Sequence, residues 1–344
     1  MLGVGTAVPS TSYSQAEVLD LFEVTDAKVR SVFLNSAIDR RYLTMPPFDA
    51  AGRPLPESQG ELLRKHTEQG LALGGEALRH CLAAAGLRAR DVGYLCCVST
   101  TGLLTPGLSA LLIGELGLSP EMNRLDVVGM GCNAGLNALN AVAGWSEANP
   151  GRAAIMLCVE VCSAAYVFDG TMRTSVVNSL FGDGAAAVAV RSGSGGRAAP
   201  EVIRFASRLI PEAMHAMRYD WDDDAGKFSF YLDRDVPYVV GAHAEAVVGR
   251  LLAGTGLGRR DIDHWVVHSG GKKVIDSLRV NLGLTRHDVR HTTGVLRDYG
   301  NVSSGSFLFS YQRLLDEGVT RPGEHGVLMT MGPGSTIETA LLRF

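Results

Sequence analysis

The chain carries one pattern twice, and a duplicated pattern leaves few folds open. Gly86-Leu87-Arg88-Ala89-Arg90-Asp91-Val92 leads into the apolar run Tyr94 to Val98, and Gly256-Leu257-Gly258-Arg259-Arg260-Asp261-Ile262 leads into Trp265-Val266-Val267. Each unit reads as a helix stopped by glycine, a short polar loop and a buried strand. Gly117-Leu118-Ser119 follows the first unit and Gly283-Leu284-Thr285 the second. Next come Gly131-Cys132 and Gly300-Asn301, each ahead of small residues and an apolar helix-like stretch, Ala134 to Val142 and Ser306 to Leu315. Each half closes on a glycine-rich turn and a strand: Gly182-Asp183-Gly184 with Ala185 to Val190, and Gly332-Pro333-Gly334 with Thr336 to Leu342. One such match arises easily by chance; a series of them in the same order does not.

The seam falls in the Gly/Ser-rich, flexible connection Arg191 to Pro200. It separates an N-terminal half, 1–195, holding Cys132, from a C-terminal half, 196–344, holding His268 and Asn301. Beyond it, strands are expected over Val202 to Ile210 and Phe228 to Leu232, with Trp221 to Asp224 as a solvated loop. Apolar strands alternating with helices call for an α/β fold with a parallel-rich sheet covered on both faces. Two such halves back to back make five layers, αβαβα. A net charge of −4 argues against nucleic acid or an anionic membrane surface as the main partner. No apolar run reaches the roughly 18 residues of a membrane span, and no charged-then-apolar signal segment opens the chain. The six cysteines, Cys81, Cys96, Cys97, Cys132, Cys158 and Cys162, lie mostly in apolar runs and form no CxxC pair. They read as reduced thiols in a cytoplasmic protein. Cys158 and Cys162 have no second ligand pair nearby, so no metal site is expected.

In Val127-Val128-Gly129-Met130-Gly131-Cys132-Asn133-Ala134-Gly135-Leu136 an apolar strand ends in glycines and a cysteine opens a helix. A buried cysteine is usually structural, but this strand–turn–helix setting suits a nucleophile. The free N–H groups and partial positive charge of a helix start favour a thiolate and an oxyanion beside it. His268 ends the strand from Trp265 and precedes Ser269-Gly270-Gly271, a place where side chains reach a site. His287 and His291 read instead as surface residues of a helix-to-strand connection. Asn301, in Tyr299-Gly300-Asn301-Val302-Ser303-Ser304-Gly305, could simply cap the next helix, yet the repeat sets it opposite Cys132. Cysteine, histidine and asparagine together suit one chemistry. The thiolate accepts an acyl group from a thioester, and the two donors hold the carbonyl oxygen of a malonyl unit as decarboxylation makes an enolate. A carboxylate in place of Asn301 would repel that enolate.

At these residues the chain resembles the chalcone-synthase-like type III polyketide synthases. The matching stretches are Gly5 to Pro9, Asp39-Arg40-Arg41-Tyr42, Gly131-Cys132, Leu180 to Ala185, Val267 to Gly271, Tyr299 to Ser304 and Gly332 to Glu338, spread over nearly the whole chain. More narrowly, Gly129 to Asn137, Asp169 to Arg173 and His268 to Lys273 look like the bacterial branch that condenses about four malonyl-CoA units into 3,5-dihydroxyphenylacetyl-CoA, a precursor in antibiotic biosynthesis. The resemblance implies the thiolase fold, with duplicated βαβαβαββ halves, a homodimer, and no cofactor beyond CoA thioester substrates. It places Phe181 as a gate between CoA tunnel and cavity, Lys28, Arg30 and Lys273 near CoA phosphates, Thr100, Cys162 and Ala165 along the cavity, and Gly334 at its floor. It also implies malonyl-CoA as starter and extender alike. The usual proline after the histidine is Ser269 here, and the chain opens at Met1 inside the expected first strand. Two other readings stand beside it. A ketoacyl synthase fed by an acidic carrier protein would share fold and triad, and an inactive thiolase-fold binding protein would share the fold alone.

Overall fold

The computed structural model describes residues 1–193 and 199–344. The first half runs β1 (Gly3–Ala7), β2 (Ser12–Ser14), α1 (Gln15–Leu21), α2 (Ala27–Leu34), β3 (Arg40–Tyr42), α3 (Gln59–Ala85), β4 (Val92–Val98), α4 (Leu108–Glu115), β5 (Asn123–Val127), α5 (Ala134–Ala148), β6 (Ala153–Glu160), α6 (Met172–Leu180) and β7 (Gly184–Val190). Its sheet has the order β1-β7-β6-β4-β5, parallel from β6 to β5 and antiparallel where β7 joins. Strands β4, β6 and β7 are buried along their whole length, which is why they read as unbroken apolar runs.

The second half continues with β8 (Glu201–Leu209), β9 (Met217–Asp222), β10 (Lys227–Leu232), α7 (Val236–Leu252), β11 (His264–Val267), α8 (Lys272–Leu282), α9 (Arg290–Tyr299), α10 (Ser306–Glu317), β12 (His325–Gly332) and β13 (Thr336–Arg343). Its sheet has the order β11-β12-β13-β8. Among the described residues it is one strand short of the first sheet, because the chain turns from α8 into α9 where the first half has β5. His291 therefore sits buried in α9, against Glu317, and not on the surface before a strand.

Three apolar clusters account for the layering. Residues of β4, β6 and β7 pack outward under α3 and α4. Their alternate residues pack inward with α5 and α10, which also cover Val266, Leu328 and Ala340 of the second sheet. The other face of that sheet is covered by α7 and α8. The result is five layers, αβαβα.

The repeat holds at atomic detail. Asp91 Oδ2 accepts a hydrogen bond from Arg88 N (2.8 Å), and Asp261 Oδ2 accepts one from Gly258 N (2.7 Å). Gly117 and Gly283 both stop a helix at positive φ (60° and 70°). Leu118 N then donates to Ile113 O (3.0 Å) and Leu284 N to Arg279 O (2.8 Å), the same closing bond in both halves. The expected boundary between residues 195 and 196 lies outside the described residues. The strands expected at 202–210 and 228–232 are present as β8 and β10, but Trp221 and Asp222 belong to β9, so only Asp223 to Gly226 form the turn.

Two insertions break the symmetry. One is the excursion β2-α1-α2-β3 between β1 and α3; the other is the hairpin β9–β10. They meet over the same end of the molecule, where Leu19, Phe33 and Leu43 cluster with Cys132, Phe181 and Phe230.

Candidate active site

The chain leaves β5, turns at Gly129 and Gly131 (φ 77° and 70°), and enters a 3₁₀ turn, Gly131–Asn133, that runs into α5. Cys132 is held there with 7% of its surface exposed. The turn is wedged against the turn between β12 and β13. A Cβ on Gly131 would collide with the Pro333 ring, and one on Gly332 would lie 2.9 Å from Cys132 N.

In the second half the matching turn is Ser303–Gly305, which runs straight into α10 as Gly131–Asn133 runs into α5. Ser303 has positive φ (44°) like Gly131. The counterpart of Cys132 is thus Ser304, and Asn301 lies three residues earlier. The expected equivalence of Cys132 and Asn301 is corrected accordingly: a slip in register brings the asparagine to the site. Asn301 is fixed by the backbone, donating from N to Leu180 O (2.8 Å) and accepting at O from Gly182 N (3.0 Å). Its Oδ1 accepts from Ser303 N (2.9 Å), which leaves the amide NH₂ as donor, and that side chain favours the Cys132 thiolate. Ser303 Oγ lies 3.6 Å from the same sulfur.

His268 follows β11, and its N–H donates to Met329 O (2.8 Å). Its Nδ1 lies 2.6 Å from Ser306 Oγ, whose own proton goes to Ser303 O (2.7 Å). The hydroxyl must then accept from the ring, which assigns the proton to Nδ1 and leaves Nε2 as the basic nitrogen. Burial pushes the Cys132 thiol up to about 12, against the pull of Ser303 and Asn301, and lowers the His268 imidazole to about 3. The helix start alone therefore does not keep the sulfur ionised: desolvation outweighs it.

Sequence reasoning missed Glu160, which closes the otherwise apolar run of β6 and is fully buried. It accepts from Thr100 N and Oγ1 (both 3.1 Å) and from Ser304 Oγ (2.5 Å), and burial holds its carboxyl above the ordinary range. A lone acid at the end of an all-apolar strand was the available signal.

A cavity of about 520 Å³ opens in front of Cys132. Thr100, Cys162, Ala165, Phe181 and Gly334 all line it, as does Tyr219 of the hairpin. Cys158, four residues before Cys162, is buried between the sheets instead. The Phe181 ring packs edge-on to Phe230 (5.9 Å). Lys28 and Lys273 are exposed in the first turns of α2 and α8, outside the cavity. Arg30 is tied to Asp20 (3.3 Å) and to Val24 O (2.9 Å).

This architecture, with a glycine-wedged cysteine where two related halves meet, is that of the thiolase-fold condensing enzymes. Residues 1–194 match the model of the N-terminal domain of chalcone and stilbene synthases, and residues 202–344 that of the C-terminal domain. The chain belongs to the chalcone and stilbene synthase family, the type III polyketide synthases. It is 67% identical to a 3,5-dihydroxyphenylacetyl-CoA synthase of Streptomyces toyocaensis, over 100% of this chain and 90% of that one. It is likewise 67% identical to a protein of the same description from Amycolatopsis balhimycina, over 99% and 92%. Among solved structures, 1,3,6,8-tetrahydroxynaphthalene synthase of Streptomyces coelicolor A3(2) superposes with a TM-score of 0.89 at 28% identity, covering 99% of this chain and 98% of that one.

Proposed function

We propose that this chain condenses malonyl-CoA repeatedly, with loss of carbon dioxide at each extension, and closes the chain to 3,5-dihydroxyphenylacetyl-CoA. The 67% identity over the full length carries this reading of the product; the geometry supports the chemistry. Cys132 is the nucleophile. As its sulfur attacks the thioester, Nε2 of His268 takes the thiol proton. Either charge formed alone would be penalised by burial, but formed together they attract and offset that loss. The acyl group then rests on sulfur, and CoA leaves as its thiolate to be protonated by water, so the proton taken from Cys132 stays on His268. A second malonyl-CoA presents its thioester oxygen to His268, now protonated, and to the Asn301 amide. Both donate as carbon dioxide leaves and charge gathers on that oxygen. The enolate attacks the acyl thioester, and the free sulfur is restored.

Phe181 is the gate, Thr100, Cys162, Ala165 and Gly334 shape the growing chain, and Lys28, Lys273 and Arg30 serve the CoA phosphates. No cofactor enters this scheme. The outer strand β5 carries exposed Leu125, and its free edge suits pairing with a second copy as a homodimer. No helix among the described residues is long and apolar enough to cross a membrane, and a cytoplasmic setting, where malonyl-CoA is available, fits the reduced cysteines.

Incubation with malonyl-CoA alone tests the reading, with light scattering on the same sample. The expected result is release of CoA and carbon dioxide with formation of 3,5-dihydroxyphenylacetyl-CoA by a dimer. Turnover only with a carrier protein, or priming only by an aromatic acyl-CoA, would overturn it.

A further inference from the structure

Arg41 is among the largest fully buried side chains of the described residues, and none of its hydrogen bonds there goes to a carboxylate; buried Asp183 acts on it only through space. Isolating a charge this way is expensive unless it organises what surrounds it. Its Nη1 donates to Tyr166 Oη (2.7 Å), Asn178 O (2.5 Å) and Phe181 O (2.7 Å), and its Nη2 to Gln15 Oε1 (2.8 Å). Two of those acceptors are carbonyls at the C-terminal end of α6, which a cation satisfies well. The Tyr166 hydroxyl also reaches Phe181 O, and Gln15 Nε2 donates to Ser179 O (2.7 Å).

What hangs from this end of α6 matters most. Phe181 pairs with Asn301 in an isolated β-bridge, the one direct backbone link between the gate and the second half's amide. The stem of Arg41 packs under the other side of that bridge: a Cβ on Gly300 would sit 2.9 Å from its Cγ and Cδ. One side chain therefore sets both the height of the Phe181 segment and the height of the Gly300-Asn301 segment lying on it.

We infer that Arg41 is a positioning residue for the condensation. Through the Phe181–Asn301 bridge, it holds the Asn301 amide at the distance from Cys132 that decarboxylation requires. The inference rests on the role given to Asn301 under the proposed function. Lysine keeps the charge but loses the fork, so it cannot hold Phe181 O and Gln15 Oε1 together.

The test is a double-mutant cycle on malonyl-CoA decarboxylation. Rates are normalised to Cys132 titrated by iodoacetamide, so that misfolded protein is not counted. R41K should lower the rate about tenfold, the usual scale for a sub-ångström misplacement of a donor. In an N301A background the same change should cost less than about twofold, because the group it positions is gone. If R41K yields no soluble protein, Y166F replaces it in both arms. It removes the hydroxyl joining Arg41 to Phe181 and should show a smaller loss, again absorbed by N301A. Additive losses, or a wild-type rate in the single variant, would overturn the inference. An unmutated enzyme that fails to decarboxylate malonyl-CoA would instead refute the proposed function.

Discussion

At the scale of single residues, the proposed mechanism gives His268 and Asn301 two different tasks. His268 is assigned its proton on Nδ1 by Ser306, so Nε2 can both take the thiol proton and return as a donor. The Asn301 NH₂ can only donate, its Oδ1 already accepting from Ser303 N. His268→Ala should therefore slow iodoacetamide alkylation of Cys132 as well as decarboxylation. With no base at hand, alkylation should follow the buried thiol, pushed up to about 12, and keep rising with pH from 7 to 10. Asn301→Ala should slow alkylation far less than His268→Ala does, since it removes only one of the groups that favour the thiolate, and should slow decarboxylation by roughly 10²–10³-fold, the loss of one oxyanion donor, about 3–4 kcal/mol. Alkylation against pH, run beside release of labelled carbon dioxide, measures both; an Asn301→Ala enzyme with full decarboxylation would leave the asparagine only its cap-like bond to Ser303.

Among elements, the turn between β12 and β13 decides where Cys132 sits. Gly332 has φ −169°, which any residue adopts, so it is glycine for want of space and not for its backbone. Gly332→Ala should push the Cys132 turn off its place, slowing alkylation at least tenfold and lowering stability by about 1–3 kcal/mol, as overpacking does. Alkylation kinetics and a thermal melt on one preparation check this; unchanged alkylation would mean the wedge is idle. Such contacts show why the sequence revealed some elements and hid others. Each all-buried strand announced itself as an apolar run, and each repeated loop by its glycine and aspartate, because both signals are local. The register slip that puts Ser304 opposite Cys132 stayed hidden, since Gly300-Asn301 imitates Gly131-Cys132 in sequence. Arg41 was visible only as part of a motif. Nothing local distinguishes it from exposed Arg40, since its burial comes from α6 and α1. Strand β9 was masked by its acidic end, for a hairpin lining a cavity with one face can leave the other in water.

For the molecule as a whole, stability should carry the mark of histidines buried without charge. His66 is fully buried between Ser99 Oγ (3.5 Å) and Thr101 Oγ1 (3.2 Å), and burial lowers it to about 4. Below pH 6.5 the unfolded chain binds a proton at this position that the folded chain refuses, so stability falls as the pH drops from 6.5 toward 4. The part due to His66 is on the order of 2 kcal/mol between pH 7 and 5. His268 adds a loss of the same sign. Glu160 and Asp183, held above the ordinary carboxylate range, work the other way, because the folded chain keeps their protons more readily. Substituting glutamine for His66 should therefore reduce the drop in Tm between pH 7 and pH 5; an unaltered drop would show that His66 does not titrate on unfolding.

The middle layer, where α5 and α10 lie between the two sheets, has one more consequence. On the ribosome the first half emerges whole while α10, β12 and β13 are still being made. Until they arrive, the inner faces of β4, β6 and β7 and one side of α5 have nothing to pack against, and Cys132 has neither His268 nor Asn301 beside it. The nascent chain must pass through a stage that is sticky and chemically idle, and it becomes an enzyme only as its last strands close over the first half.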